Sequence, residues 1–331
     1  MDKHLSVYRH PTLTVLIDDS KTFLDSLAFQ LNPQIVYKVF HDSSSAMEWL
    51  FAQRFSAMFD PIYARSDEQT NFFEWHSTHV DLSRIYHISL NRQRFDLPTV
   101  LIIDYAMPQM NGLELCEAVR NLPCKKILLT GQADEKLAVD AFNRGLIDRF
   151  IKKSSPDALI RLENEIIQLQ QDFFSEQTRT LKVLLSSDAY SFLSDPAMEE
   201  LVSQLSRRYR FVEHYLFPHP AGILFLDVQG KATLMVIETK GGLISHGEIA
   251  QDLGAPAELL AALNEFRLVP FFSDTGGMYG DAVGHDWLSY CLPPQICRGS
   301  EEYYWALFDL PSHYLKGTIY PYSEFLKRQG Q

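Results

Sequence analysis

The sequence predicts an α/β protein: a five-stranded parallel sheet sandwiched by helices, joined by a long helix to an α+β domain. Three observations carry this. Strand-like apolar runs alternate with helix-periodic stretches five times before about residue 155. Most of those runs end on a residue with chemistry: Asp18-Asp19, Asp104, Thr130 and Lys153. Beyond them the pattern changes to a hairpin followed by mixed elements.

Taken in order, residues 13–17 (LTVLI) form the first strand, and Phe23, Leu24, Leu27, Ala28 and Leu31 follow at helical spacing. Ile35–Phe40 reads as a strand, and Ser43–Ser45 can cap a helix carrying Ala46, Met47, Leu50 and Phe51. Residues 99–103 are the third strand, with a helix from about Leu113. Lys126–Leu129 ends on Thr130-Gly131 before a helix over 134–144, and Phe150-Ile151 ends on Lys152-Lys153. The carboxyl ends of parallel strands share one edge, where ligands sit at the switch in strand order. Residues more than a hundred positions apart therefore converge on one crevice. An aspartate closing a fully apolar strand, as Asp104 does, is costly to bury without a task there.

Composition sets the frame. The chain has 331 residues, is 46% hydrophobic and 22% charged, and carries a formal net charge of −12, a poor basis for clamping a polyanion. Cys116, Cys124, Cys291 and Cys297 lack Cys-x-x-Cys spacing and fit reduced thiols. No apolar stretch is long enough to span a bilayer, and the first residues lack a signal-peptide layout. A cytoplasmic protein without membrane contact is the expectation.

The acidic pair after the first strand, DYAMPQMNGLEL after the third, Thr130-Gly131 after the fourth and the lysine after the fifth resemble the receiver domain of bacterial two-component response regulators, over about 11–155. The resemblance implies a flavodoxin-like five-stranded receiver with bound Mg²⁺. It implies Asp104 as phosphoacceptor, Asp19 and Asp104 as direct metal ligands, Asp18 as a ligand through water, and the Ala106 carbonyl as a backbone ligand. Clustered carboxylates raise one another's pKa unless a cation sits among them, and Mg²⁺ suits such a site. Lys153, three residues after the aromatic Phe150, takes the lysine position in preference to Lys152, although Ser154 replaces the usual proline. Lys153 and Thr130 would contact the phosphoryl oxygens, and Thr130 with Phe150 would form the switch. Ala106 stands where receivers vary and where the side chain influences dephosphorylation.

Lys136, Asp140, Arg144 and Arg149 mark a face on which receivers form a phosphorylation-dependent homodimer; a merely solvated face is the other reading. Leu159, Leu162, Ile166, Leu169 and Phe173 have the spacing of a short coiled-coil seam, which suggests a linking signalling helix over 156–185. Between Asp19 and Asp104 the chain holds an insertion, about 53–97, in which Phe51, Phe55 and Phe59 extend the second helix toward Pro61. His76, His79 and His87 lack the companion ligands of a metal site.

The expected division is thus a receiver at 1–155, a linker helix at 156–185 and an α+β output domain at 186–331, without an evident helix-turn-helix. Asp227 with Glu238-Thr239-Lys240 imitates a nuclease spacing, but the residues fall at opposite ends of a hairpin. His285-Asp286 stands alone as a metal-hydrolase dipeptide, and Arg207, Arg208 and Arg210 suit a helix surface. An acidic output of this sort looks similar to the quorum-sensing regulators that answer α-hydroxyketone autoinducers. The implied partner is a sensor histidine kinase or phosphotransfer protein. The chain is not expected to be a dedicated enzyme beyond receiver autophosphorylation and autodephosphorylation. An output that binds nucleic acid, which the charge does not favour, and an enzymatic output are the competing readings.

Overall fold

The computed structural model describes residues 5–53, 55, 81–131, 135–185, 188–280, 282–311, 314–315 and 317–329. They cluster into two units. One is formed by the described residues of 11–61, 93–176 and 324–331, the other by those of 1–10, 62–92 and 177–323. Strand β1 (Tyr8–Arg9) belongs to the second unit.

The first unit is the parallel one. Its elements are β2 (Leu13–Ile17), α1 (Lys21–Gln30), β3 (Tyr37–Phe40) and α2 (Ser43–Phe51). The short helix α3 (Ser83–His87) belongs to the other unit. There follow β4 (Pro98–Asp104), α4 (Gly112–Ala118), β5 (Lys125–Thr130), α5 (Glu135–Asn143), β6 (Arg149–Lys152) and α6 (Ala158–Gln177). The sheet order is β3-β2-β4-β5-β6, with every neighbouring pair parallel. Every residue of β2, β4 and β5 is buried, as a sheet covered on both faces requires. From β2 the chain steps outward to β3 and returns on the other side as β4. The switch in strand order therefore lies between β2 and β4.

Local sequence sets the helix starts. Ser20 and Asp42 accept hydrogen bonds from the Phe23 and Ser45 N–H groups at the heads of α1 and α2. Asn111 and Glu114 form a complete capping box at α4. At Gly112 a Cβ would fall 2.3 Å from the Asp104 carbonyl oxygen, so glycine alone lets the helix start this close to the end of β4. The second helix ends at Phe51, and the extension toward Pro61 lies almost wholly outside the described residues, as do His76 and His79.

Helix α6 corrects the coiled-coil expectation. Leu162, Ile166 and Leu169 are 3%, 0% and 1% exposed and share one core with Leu16, Leu27, Ile102, Ile127 and Ile151. The heptad-like stripe is the inner face of a helix packed on its own sheet, and α/β packing needs the same spacing as a coiled coil. The same seam cannot also face a second α6.

The second unit is antiparallel. It contains α7 (Arg179–Leu184), α8 (Pro196–Tyr209), β7 (Phe211–Phe217), the hairpin β8 (Gly222–Asp227) and β9 (Ala232–Glu238), α9 (Lys240–Asp252) and α10 (Ala257–Asn264). A two-stranded ribbon, β10 (Val269–Pro270) with β11 (Cys291–Leu292), precedes β12 (Gln295–Arg298) and β13 (Glu302–Asp309). The main sheet runs β1-β7-β8-β9-β13-β12. The closing helix α11 (Tyr322–Gln329) sends Phe325 against Phe95 of the first unit's own chain, with ring centroids 5.3 Å apart. The units thus depart from a contiguous 1–155, 156–185 and 186–331 division. Backbone pairing takes β1 into the antiparallel sheet, and apolar burial takes 324–331 into the parallel unit. Among the described residues no helix is long and apolar enough to cross a membrane.

Two measurements follow. Ile166→Ala is expected to destabilise the parallel unit by about 2–5 kcal/mol in denaturant titration, with no dependence on protein concentration; a concentration-dependent midpoint would indicate a coiled-coil role instead. His214 of β7 is buried, and burial first, then the Arg9 charge, pushes its pKa down to about 4, against one hydrogen bond with the Ser6 carbonyl oxygen. The unfolded chain therefore takes up a proton before the folded one. Stability should fall by up to about 3 kcal/mol as pH drops from about 6.5 to about 4, and His214→Gln should flatten that part of the profile.

Candidate functional site

Asp18 follows the last residue of β2, Asp104 closes β4, and Lys153 follows β6, so all three reach the carboxyl edge at the switch between β2 and β4. Carboxylate oxygens of Asp18, Asp19 and Asp104 lie within 4.8 Å of one another. Asp18 and Asp104 are 1% and 5% exposed, whereas Asp19 is exposed. The Ser20 N–H donates to Asp18 Oδ1 at 2.8 Å, which fixes one oxygen and leaves the other to the crevice.

Lys153 holds the cluster together. Its Nζ donates to Asp18 Oδ2 at 2.6 Å and lies 2.7 Å from Asp104 Oδ1. Lys152, the neighbouring alternative, ends β6 opposite Thr130 in the register. The ammonium also sits 4.3 Å from the centroid of the Phe23 ring. In the sequence Phe23 has no visible role beyond an apolar position on α1. An aromatic one turn into the helix that follows an acidic strand end is a signal only once the fold places the lysine beside it.

Electrostatics follow from burial. Desolvation raises the Asp104 carboxyl above its ordinary pKa and the Asp18 charge adds to this, while Lys153 opposes both without cancelling them. For Lys153, burial alone would lower the pKa, but its hydrogen bonds to Asp104 and Asp18 more than offset that and the net shift is upward. Three hard oxygen donors facing one another fit a hard divalent cation; soft thiolate or imidazole donors are not part of the set.

The remaining expected residues are placed as follows. The Ala106 N–H donates to Asp104 Oδ2 at 3.2 Å, so the loop after β4 turns back toward the acid. Thr130 is 1% exposed at the end of β5, and Phe150 is half-buried on β6. Phe150 registers with Leu128, two residues before Thr130, so both side chains leave the same face of the sheet on adjacent strands. On the α5 side, Lys136 is exposed and Asp140 pairs with Arg144 at 3.4 Å. Arg149 instead bonds Glu165 of α6 at 2.7 Å and is occupied within its own unit.

The chemical alternatives in the second unit do not assemble. Asp227 accepts hydrogen bonds from the Gln229 and Lys231 N–H groups of its own turn. Glu238, at the other end of the hairpin, lies 3.1 Å from His246 Nε2, and Lys240 pairs with Glu302. A nuclease site needs the acids and lysine together, and the hairpin's length keeps Asp227 away. The side chain of His285 lies outside the described residues.

Comparison with known proteins agrees with this geometry. A response regulator receiver domain model matches residues 70–163. The match takes in Asp104, Thr130 and Lys153, and the structure brings Asp18 and Asp19 to them from before the insertion. Over 98% of the chain, the fold superposes on the Legionella pneumophila response regulator LqsR, with a TM-score of 0.80 and 29% identity, covering 97% of that chain. The cyclic di-GMP phosphodiesterase response regulator RpfG of Xanthomonas campestris is 29% identical over 164 residues, 46% of this chain and 43% of that protein. An uncharacterized 14.6 kDa protein of Leptolyngbya boryana is 41% identical over 71 residues, 20% of this chain and 54% of that protein. The chain thus spans about half the length of these two curated relatives. With the acids, the lysine and the sheet order in place, and with the family match over residues 70–163, the chain carries a response regulator receiver domain.

Proposed function

We propose that the protein is a phosphorylation-controlled response regulator whose receiver accepts a phosphoryl group on Asp104. The observation that supports this best is the cluster of three carboxylates within 4.8 Å, bridged by Lys153. A carboxylate oxygen of Asp104 attacks the donor's phosphorus, the bond from phosphorus to the donor's leaving group breaks, and that group departs with the electron pair. Asp19 and Asp104 would hold Mg²⁺ directly, with Asp18 through water and the Ala106 carbonyl. Bound there, the ion supplies positive charge against the carboxylates and the phosphoryl oxygens. Lys153 gives up its bond to Asp104 and pairs with a phosphoryl oxygen, remaining tied to Asp18. The Thr130 hydroxyl donates to another oxygen, and Gly131 leaves backbone room beside it.

Movement of Thr130 toward the phosphoryl group vacates space on the sheet face that it shares with Phe150. Inward rotation of Phe150 then changes the α5 surface, a two-state packing change. That surface carries Lys136, Asp140 and Arg144 beside Leu137 and Phe142, which are 47% and 45% exposed. We assign it to a phosphorylation-dependent homodimer, with Arg149 freed for it only if the bond to Glu165 breaks. The donor is a sensor histidine kinase or phosphotransfer protein, and a cytoplasmic quorum-sensing phosphorelay is the setting that the likeness to LqsR favours.

A small-molecule phosphodonor with Mg²⁺ should phosphorylate the wild type and shift it toward dimer in light scattering. Asp104→Asn and chelation of Mg²⁺ should each abolish incorporation, and Lys153→Met should slow it by about 10²-fold. Equal incorporation into Asp104→Asn would overturn the assignment.

A further inference from the structure

Lys153 is held at three points, and only two of them are acids. Its Nζ lies 2.6 Å from Asp18 Oδ2 and 2.7 Å from Asp104 Oδ1, and it stands over the Phe23 ring, 4.3 Å from the centroid. Ring faces attract ammonium groups within about 6 Å, more strongly where water is kept away. Water is largely kept away here, because the Lys153 side chain is 26% exposed and those of Asp18 and Asp104 are 1% and 8% exposed. Phe23 is no loose surface ring either. It is half-buried and packs on the core that contains Leu16, Leu24 and Ile151.

One residue sets two of the three points. The Ser20 N–H donates to Asp18 Oδ1 at 2.8 Å, and the Ser20 hydroxyl oxygen accepts from the Phe23 N–H at 3.3 Å. The carboxylate and the ring are thus fixed to the same first turn of α1, whereas Asp104 comes from β4. The lysine's own backbone is tied as well, its N–H donating to the Thr130 carbonyl oxygen at 3.0 Å. In the phosphorylation proposed above, Lys153 exchanges Asp104 for a phosphoryl oxygen. With Asp18 alone as the remaining partner, a flexible four-carbon stem keeps wide freedom about that one bond. With the ring face as well, the ammonium keeps two fixed contacts while the third changes.

We infer that Phe23 is a positioning residue for phosphoryl transfer: its ring face holds the Lys153 ammonium beside Asp104 while Lys153 passes from the carboxylate to the phosphoryl group. The inference rests on the phosphorylation reading and adds to it a residue that acts only through the lysine. A neutral ring suits this task. A carboxylate at this position would compete with the phosphoryl group for the ammonium and repel the phosphoryl oxygens, whereas the ring attracts the cation without adding net charge. A cation placed in advance where charge develops raises the rate of transfer rather than the affinity for the donor.

The test uses the full-length protein, a small-molecule phosphodonor with Mg²⁺, and a series of fluorinated phenylalanines installed at position 23. Fluorine drains the ring face of its negative potential with little change in size. The maximal rate of incorporation should fall with each added fluorine, to about fivefold below wild type for a trifluorinated ring, at an unchanged half-saturating donor concentration. Phe23→Leu should show a similar loss, and Phe23→Tyr should retain most of the wild-type rate. A role in packing alone predicts rates insensitive to fluorination, and that result would overturn the inference. The contact itself is read without phosphorylation. In protein labelled with ¹³C-lysine, the Lys153 Cε protons, assigned with Lys153→Met, should be shifted upfield by the ring current and return to the ordinary lysine position in Phe23→Leu. The fluorinated series and the wild-type spectrum do not depend on the folding of Phe23→Leu. Failure of the wild type to take up phosphoryl removes the phosphorylation reading and the positioning role with it. A wild type that is phosphorylated but shows an unshifted lysine signal removes the role of Phe23 alone.

Discussion

Everything in the parallel unit depends on one ammonium between acids. Asp18 and Asp104 are almost fully buried, and Asp19 brings a third carboxylate within 4.8 Å. Such a cluster is tolerable only with compensating positive charge. Lys153 supplies it from the far end of the sheet order, after β6, two strands beyond β4. The parallel register, the apolar strands and the tight start of α4 at Gly112 all serve to hold four groups from three chain segments at that edge. The site is electrostatically incomplete by design: one mobile cation serves two fixed buried anions, which is a condition that favours capture of further positive charge.

Much of this was legible in the sequence, because it depends on short-range features. Apolar runs ending on acids locate β2 and β4, Thr130-Gly131 locates the end of β5, and the spacing of Phe150 to Lys153 separates Lys153 from Lys152. What was not legible depends on long-range packing. Leu162, Ile166 and Leu169 have a spacing that serves a coiled coil and a sheet-covering helix equally, and only the presence of Ile127 and Ile151 beneath them decides. Arg149 looked free for a partner chain because nothing local announces Glu165. Phe23 gains its role from a lysine 130 positions away.

The hairpin of the second unit was read correctly, but β7, the β10–β11 ribbon, β12 and the pairing of β1 were not foreseen, and neither was its chemistry. Asp227 drew attention as a nuclease-like acid, and the structure uses it to close its own turn. Asp227 also lines a cavity to which four separated stretches of chain contribute aromatic residues. Aromatic residues at ordinary β positions carry no sequence mark that distinguishes a cavity wall from core.

The exchange of chain segments between the units has a further consequence. Tyr8 and Arg9 complete the antiparallel sheet, while Phe325 and Arg328 pack on Phe95 and Asp96 in the parallel unit. Each unit thus owns a piece of chain that lies, in sequence, on the other's side. No single cut yields two intact modules, so recombination that swaps outputs among regulators at one crossover would leave both products short of a strand or a helix.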